Sequence, residues 1–219
     1  MNSKINQYPT KDELKKLLAI FRKGEFEKAE KLAKNITILF PKHKYCWKIL
    51  AEIFRILGRS SEMLEVGKKI IQIDPYDYEA YNIIGSTFKD LGNYREAVKQ
   101  FRKSIECNPN NFLAYSNLGV TFSKIGNFDE AEKYYNKAIE LNPNFGPSYN
   151  NLGDIKRILG KLVEAEENFK KSIDVTDVPV VAYYNLALIQ FKLGKLKDSE
   201  KSYKETLKLK PNYGMAHCQ

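Results

Sequence analysis

The sequence predicts an all-α chain, a solenoid of helix pairs, and three observations predict it. Gly24 recurs every 34 residues as Gly58, Gly92, Gly126, Gly160 and Gly194. Prolines keep the same spacing at Pro41, Pro75, Pro109 and Pro143, and Pro211 resumes it after Asp177 stands in the place between. An aromatic ladder (Trp47, Tyr81, Tyr115, Tyr149, Tyr183) and an aliphatic one (Leu50, Ile84, Leu118, Leu152, Leu186) run in step with them. Interleaved ladders of one period mark a repeat architecture, in which each unit buries its apolar face only by stacking on its neighbours.

Within one unit the pattern reads as two helices. In residues 112–145, Tyr115, Leu118, Gly119 and Phe122 form one helical stripe. Gly126 permits the left-handed turn that ends the first helix. A second stripe runs through Phe128, Ala131, Tyr135 and Ala138, and Pro143 closes the unit because proline cannot continue a helix. Small residues at Gly119 and Ala131 let the two helices approach closely, and the aromatic rings fill the space between units. In order, the chain divides into an N-terminal arm (1–9), six repeats (10–43, 44–77, 78–111, 112–145, 146–179 and 180–213) and the start of a further repeat (214–219).

These residues resemble the tetratricopeptide repeat family, whose pattern of aromatic, Leu-Gly, aromatic, Gly, Ala, aromatic, Ala and Pro is nearly complete from Tyr115 to Pro143. The resemblance extends over residues 10–213. It implies a right-handed superhelix of antiparallel helix pairs, with first helices lining a concave groove and second helices outside, and a protein or peptide as partner. Three units depart from the pattern, and looser local order is expected in them. The first has Glu13 and Lys16 in place of an aromatic and a leucine. The second has Met63 and Gly67, and a mid-helix glycine costs about 1 kcal/mol. The fifth has Lys156 at an aromatic place and lacks its closing proline.

Composition narrows the setting. Hydrophobic residues are 43% and charged residues 29% of the chain, ordinary values for a folded domain. Cys46, Cys107 and Cys218 share no metal-ligand spacing, which predicts reduced thiols. With no signal-like start and no membrane-length apolar run, the expected location is the cytoplasm and no membrane partner is expected. Lys plus Arg (36) exceed Asp plus Glu (27), a net charge of +9. The lysines are spread along the chain with acids among them, as in "DEAEKYYNKAIE", which favours solvated helix faces over a nucleic-acid site.

The groove positions carry the functional signal. "PSYNNLGDIK", residues 147–156, sets Asn150 and Asn151 inside a helix, where asparagine costs roughly 0.6 kcal/mol relative to alanine. The sixth place of each unit holds Lys15, Ile49 and Ile83, then Asn117, Asn151 and Asn185. A primary amide offers both donor and acceptor, so a ladder of them can hold the main chain of an extended peptide whatever its side chains. The three asparagines resemble the ladder of O-GlcNAc transferases, which implies a backbone clamp at Asn117, Asn151 and Asn185 only; Ser116, Asn150, Asp154 and Arg157 are expected beside it as secondary contacts by their groove-side places. The carboxylate clamp of co-chaperones in the family is absent, because Lys48 is followed one turn later by Glu52.

Leu14, Leu18 and Phe21 in the first unit, and Tyr184, Leu188 and Phe191 in the last, are placed on the groove side as apolar contacts, to a partner or to a second copy of the chain. No catalytic constellation, cofactor fingerprint or metal motif is found. His43 and His217 stand far apart, and acidic runs such as "EAEEN" are expected to face solvent on second helices. The chain stops in "NYGMAHCQ" without the polar cap that ends a solenoid, so it is expected to be part of a longer protein. Its front end resembles bacterial tetratricopeptide proteins that often carry a glycosyltransferase or sulfotransferase domain downstream. The leading expectation is a scaffold that binds an extended polypeptide. The alternatives are the substrate-recruiting module of such a transferase and, behind it, binding of nucleic acid through the basic surface.

Overall fold

The structure, a computed structural model, describes residues 8–213. The further repeat expected at 214–219, with His217 and Cys218, lies outside the described residues, as does most of the N-terminal arm. The described residues form twelve α-helices in two compact units.

In the first unit, residues 1–109, the helices are α1 (Lys11–Arg22), α2 (Phe26–Leu39), α3 (Lys44–Ile56), α4 (Ser60–Ile73), α5 (Tyr78–Asp90) and α6 (Tyr94–Cys107). Each packs on the next. Leu17, Ile36, Leu50, Ile53, Phe54 and Ile70 form the centre of its core. The departures from the repeat pattern have local causes. Glu13 is the third residue of α1 and closes a capping box: Thr10 Oγ1 accepts from the Glu13 amide while the Glu13 carboxylate accepts from the Thr10 amide. Met63 is buried. Gly67 is needed rather than merely tolerated, because a Cβ there would lie 2.5 Å from Ile84 Cγ1. The expected weakening of α4 is the condition for α4 and α5 to meet.

A charge network ties α3 to the start of α5. Lys44 Nζ lies 2.5 Å from Asp74 and 3.1 Å from Asp77, and Lys48 Nζ lies 3.0 Å from Asp77 and also pairs with Glu79. Asp77 caps α5, accepting from the Ala80 amide at 3.1 Å. Burial pushes the Asp77 carboxyl upward, but the bonds from Lys48, the Ala80 amide and Lys44 outweigh it and hold the group below the usual aspartate range. The Lys44 ammonium likewise holds Asp74 low. A carboxyl lowered by folding stabilises the fold above its unfolded pKa of about 3.9 and stops doing so as pH falls through the lower folded value. The melting temperature of the parent should therefore fall steeply between about pH 5 and pH 2. Asp77→Asn should flatten that limb, and equal slopes in both proteins would rule the network out as its source.

In the second unit, residues 110–219, the helices are α7 (Phe112–Ile125), α8 (Phe128–Leu141), α9 (Gly146–Ile158), α10 (Leu162–Asp174), α11 (Val180–Lys192) and α12 (Leu196–Leu209). Consecutive helices pack together, and α9 also touches both α7 and α11. The first helices of successive repeats therefore stand side by side. One core cluster holds Ala131, Tyr135, Leu152 and Ile155, and another Ala165, Phe169, Leu186 and Ile189. Gly126 takes the left-handed conformation that the turn after α7 requires, with φ 85°. A Cβ on Gly119 would lie 2.6 Å from the Tyr135 ring, so the small residue expected at the helix crossing is a steric necessity.

Two sequence expectations change in this unit. Lys156 is buried rather than loosening its repeat, and its ammonium lies 2.6 Å from both Glu132 of α8 and Glu164 of α10. The acidic run 164–168 does not face solvent throughout. Glu166 is buried and pairs with Lys170 at 2.8 Å and Lys195 at 2.6 Å.

Candidate functional site

The asparagines of the ladder sit at matching places on α7, α9 and α11, and all three are half-buried. Asn185 Nδ2 donates to Asn150 Oδ1 at 3.1 Å, a bond that joins α11 to α9. The main-chain oxygen of Asn117 accepts from the Thr121 hydroxyl at 2.7 Å. Asn151 borders an open cavity of about 300 Å³ together with Pro147, Val178, Val180 and Val181. Both adjacent asparagines of α9 border this cavity, but only Asn150 also bonds the next first helix, through Asn185.

The secondary contacts are placed unevenly. Ser116 is buried, and its hydroxyl accepts from Ser148 at 3.2 Å, which puts it in the seam between α7 and α9 rather than on an open face. Asp154 and Arg157 are half-buried and pair with each other at 3.1 Å along α9. Both neighbours in the register are therefore fixed by contacts within the repeat array.

The apolar end positions are less open than the sequence suggests. Leu14, Leu18 and Phe21 are half-buried against the core of the first unit, and Phe21 meets the Phe26 ring edge to face at 5.8 Å. Ile49, at the ladder register, is buried in the same core, which Ile83 packs against. In the last repeat, Tyr184 packs edge to face on Tyr203 at 6.0 Å and Tyr213 at 5.4 Å. Leu188 is half-buried, whereas Phe191 is 60% exposed.

Two residues with potential chemistry, His43 and Cys46, meet each other. His43 Nδ1 lies 3.2 Å from Cys46 Sγ at the start of α3, and burial lowers the pKa of the imidazole. Burial pushes the Cys46 thiol up to about 11, which keeps it protonated and a poor nucleophile at neutral pH. Among the described residues there is no group of three or more His, Cys, Asp or Glu able to hold a metal ion. No helix among them is long and apolar enough to cross a membrane.

Sequence reasoning missed the wall of the Asn151 cavity. It read Asp177, in place of the closing proline, as loosened order. The segment after α10 instead lies against the start of α9, so that a Cβ on Gly146 would come within 1.9 Å of Thr176 Oγ1. The visible signals were that missing proline and the displaced Pro179, but the direction taken by the chain was not encoded in either.

Family models described as Tetratricopeptide repeat match residues 112–145, 180–213 and 134–167, and one described as TPR repeat matches residues 85–126. The chain carries tetratricopeptide repeats. Several solved structures share this repeat fold. The chain in the APC/C hetero-tetramer Cut9-Hcn1 is 17% identical with a TM-score of 0.82, covering 94% of this chain and 41% of that one. PilW, a type IV pilus biogenesis factor, is 21% identical with a TM-score of 0.78, covering 94% of this chain and 96% of that one. MamA is 26% identical with a TM-score of 0.62, covering 72% of this chain and 92% of that one. Thus the present chain spans well under half of the Cut9-Hcn1 chain, while it is close in length to PilW. No curated protein matches the sequence. At such identities the likeness to Cut9-Hcn1 and PilW is one of fold.

Proposed function

We propose that this tetratricopeptide-repeat chain is a protein-interaction scaffold that holds an extended polypeptide along α7, α9 and α11, with Asn117, Asn151 and Asn185 bonding its main chain. The observation that carries the reading is the recurrence of asparagine at one register on three first helices that stand side by side. A side-chain amide has two donor hydrogens and two acceptor lone pairs. Asn185 uses one donor on Asn150 and keeps its oxygen for a peptide N–H. That bond also fixes its rotamer, which lowers the entropy lost on binding. The oligomeric setting of Cut9-Hcn1 and the biogenesis role of PilW agree with a scaffold.

Each amide–backbone bond nets about 0.5–1.5 kcal/mol, so affinity must come from several together. The test is selection of a displayed random peptide library on the parent, followed by affinity measurements on the triple variant Asn117→Ala, Asn151→Ala, Asn185→Ala. The variant is first shown to have the circular dichroism and melting curve of the parent. The expected loss is roughly tenfold to a thousandfold for peptides of unrelated sequence. Equal affinity in a folded variant would remove the ladder from the site.

A further inference from the structure

The cavity beside Asn151 combines three properties. It is built by a break in the repeat: Asp177 stands where a proline closes the other units, and the segment from Thr176 to Pro179 forms one wall while the first turn of α11 forms another. The base of one wall is tied to α9. The Ser172 hydroxyl donates to the Gly146 carbonyl at 2.9 Å, tying the end of α10 to the start of α9. Thr176 lies so close over Gly146 that no side chain fits between them.

Its lining is uncharged throughout, in a chain of which 29% is charged. Val178 and Val181 are 62% and 51% exposed, so apolar surface is presented at the opening. A neutral wall offers nothing to repay the desolvation of a lysine or a carboxylate, and it selects against both. At about 300 Å³ the space is at the small end of ligand pockets, suited to a single side chain rather than a folded element. Asn151 stands on its border with both a donor and an acceptor.

We infer that this cavity is an anchor pocket for a branched aliphatic residue (Val, Ile or Leu) of an extended peptide whose main chain is bonded by Asn151. The inference rests on the proposed function and adds sequence preference to it: the asparagines read the backbone, and the cavity reads one side chain. An aliphatic anchor is favoured over alanine at that position by roughly tenfold or more, the discrimination that a few buried methylenes supply.

The test is the same displayed random peptide library, selected in parallel on the parent, on Val181→Asp and on Asn151→Ala. Val181 is the second residue of α11, where a carboxylate suits the helix N-terminus, so Val181→Asp is expected to fold and melt like the parent. Peptides from the parent should share one aliphatic position. Those from Val181→Asp should lose that preference while still binding, and the parent's peptides should bind Val181→Asp roughly tenfold more weakly. If the parent's peptides show no aliphatic position, or Val181→Asp selects the same consensus, the anchor pocket is overturned while the peptide-holding function stands. If the parent enriches nothing, or Asn151→Ala binds the parent's peptides unchanged, the reading of the Asn151 face fails and takes the pocket with it.

Discussion

Phe169→Ala should destabilise the second unit by about 3–5 kcal/mol, seen as a lowered urea midpoint by circular dichroism. The ring is fully buried in the cluster with Ala165, Leu186 and Ile189, so its removal leaves a cavity between repeats as well as lost transfer energy. The effect is coupled to Gly153. A Cβ there would lie 2.7 Å from Phe169 Cε1, and a fully buried ring has nowhere to move. Gly153→Ala alone should therefore cost stability, because overpacking of about 1–3 kcal/mol outweighs a gain in helix propensity of about 1 kcal/mol. In the Phe169→Ala background the same methyl enters empty space, and Gly153→Ala should stabilise by up to about 1 kcal/mol. This reversal of sign is the decisive readout. If Gly153→Ala stabilises the parent, α9 and α10 do not meet as closely as described.

The second large effect belongs to Lys156. Burial pulls its pKa down, but the bonds to Glu132 and Glu164 outweigh that and hold it above the ordinary lysine range. Lys156→Glu would set three carboxylates around one buried point, and the expected loss is about 3–5 kcal/mol, the usual cost of an uncompensated buried charge. Lys156→Phe restores the aromatic that Phe122 supplies one repeat earlier. Glu132 and Glu164 are 29% and 49% exposed and can return to water, so this variant should stay within about 1 kcal/mol of the parent. The pair of variants separates charge from shape. A loss in Lys156→Phe as large as in Lys156→Glu would show that the lysine is needed for its own contacts, not merely tolerated.

Much of the candidate site was legible because register is a local property. Asn117, Asn151 and Asn185 share one place in their units, and a constant period puts equivalent residues on equivalent helices. What those side chains do there was not legible. Nothing in "SNLG", "NNLG" or "YNLA" distinguishes an asparagine on an open cavity from one bonded across a seam. Ser116 shows the same limit: serine suits a groove wall and a buried helix seam equally, and its partner Ser148 lies in the next repeat. The apolar places of the first unit show the limit of counting alone. Leu14, Leu18 and Phe21 occupy groove-side places by counting, yet they lean on the unit's core, since an apolar side chain takes the nearest cover available.

The sequence by itself determined the helices, their pairing and their turns. Those depend on short-range rules: 3.6-residue stripes, a left-handed glycine at each turn and a closing proline, all repeated with one period. Only the tertiary structure decided which departures from the period were faults and which were fittings. Gly67 is small because Ile84 approaches it, Lys156 bridges two carboxylates, and the stretch without a proline walls a cavity. Each of those outcomes is set by atoms on another helix or by the three-dimensional path of the chain, and periodicity carries no information about either.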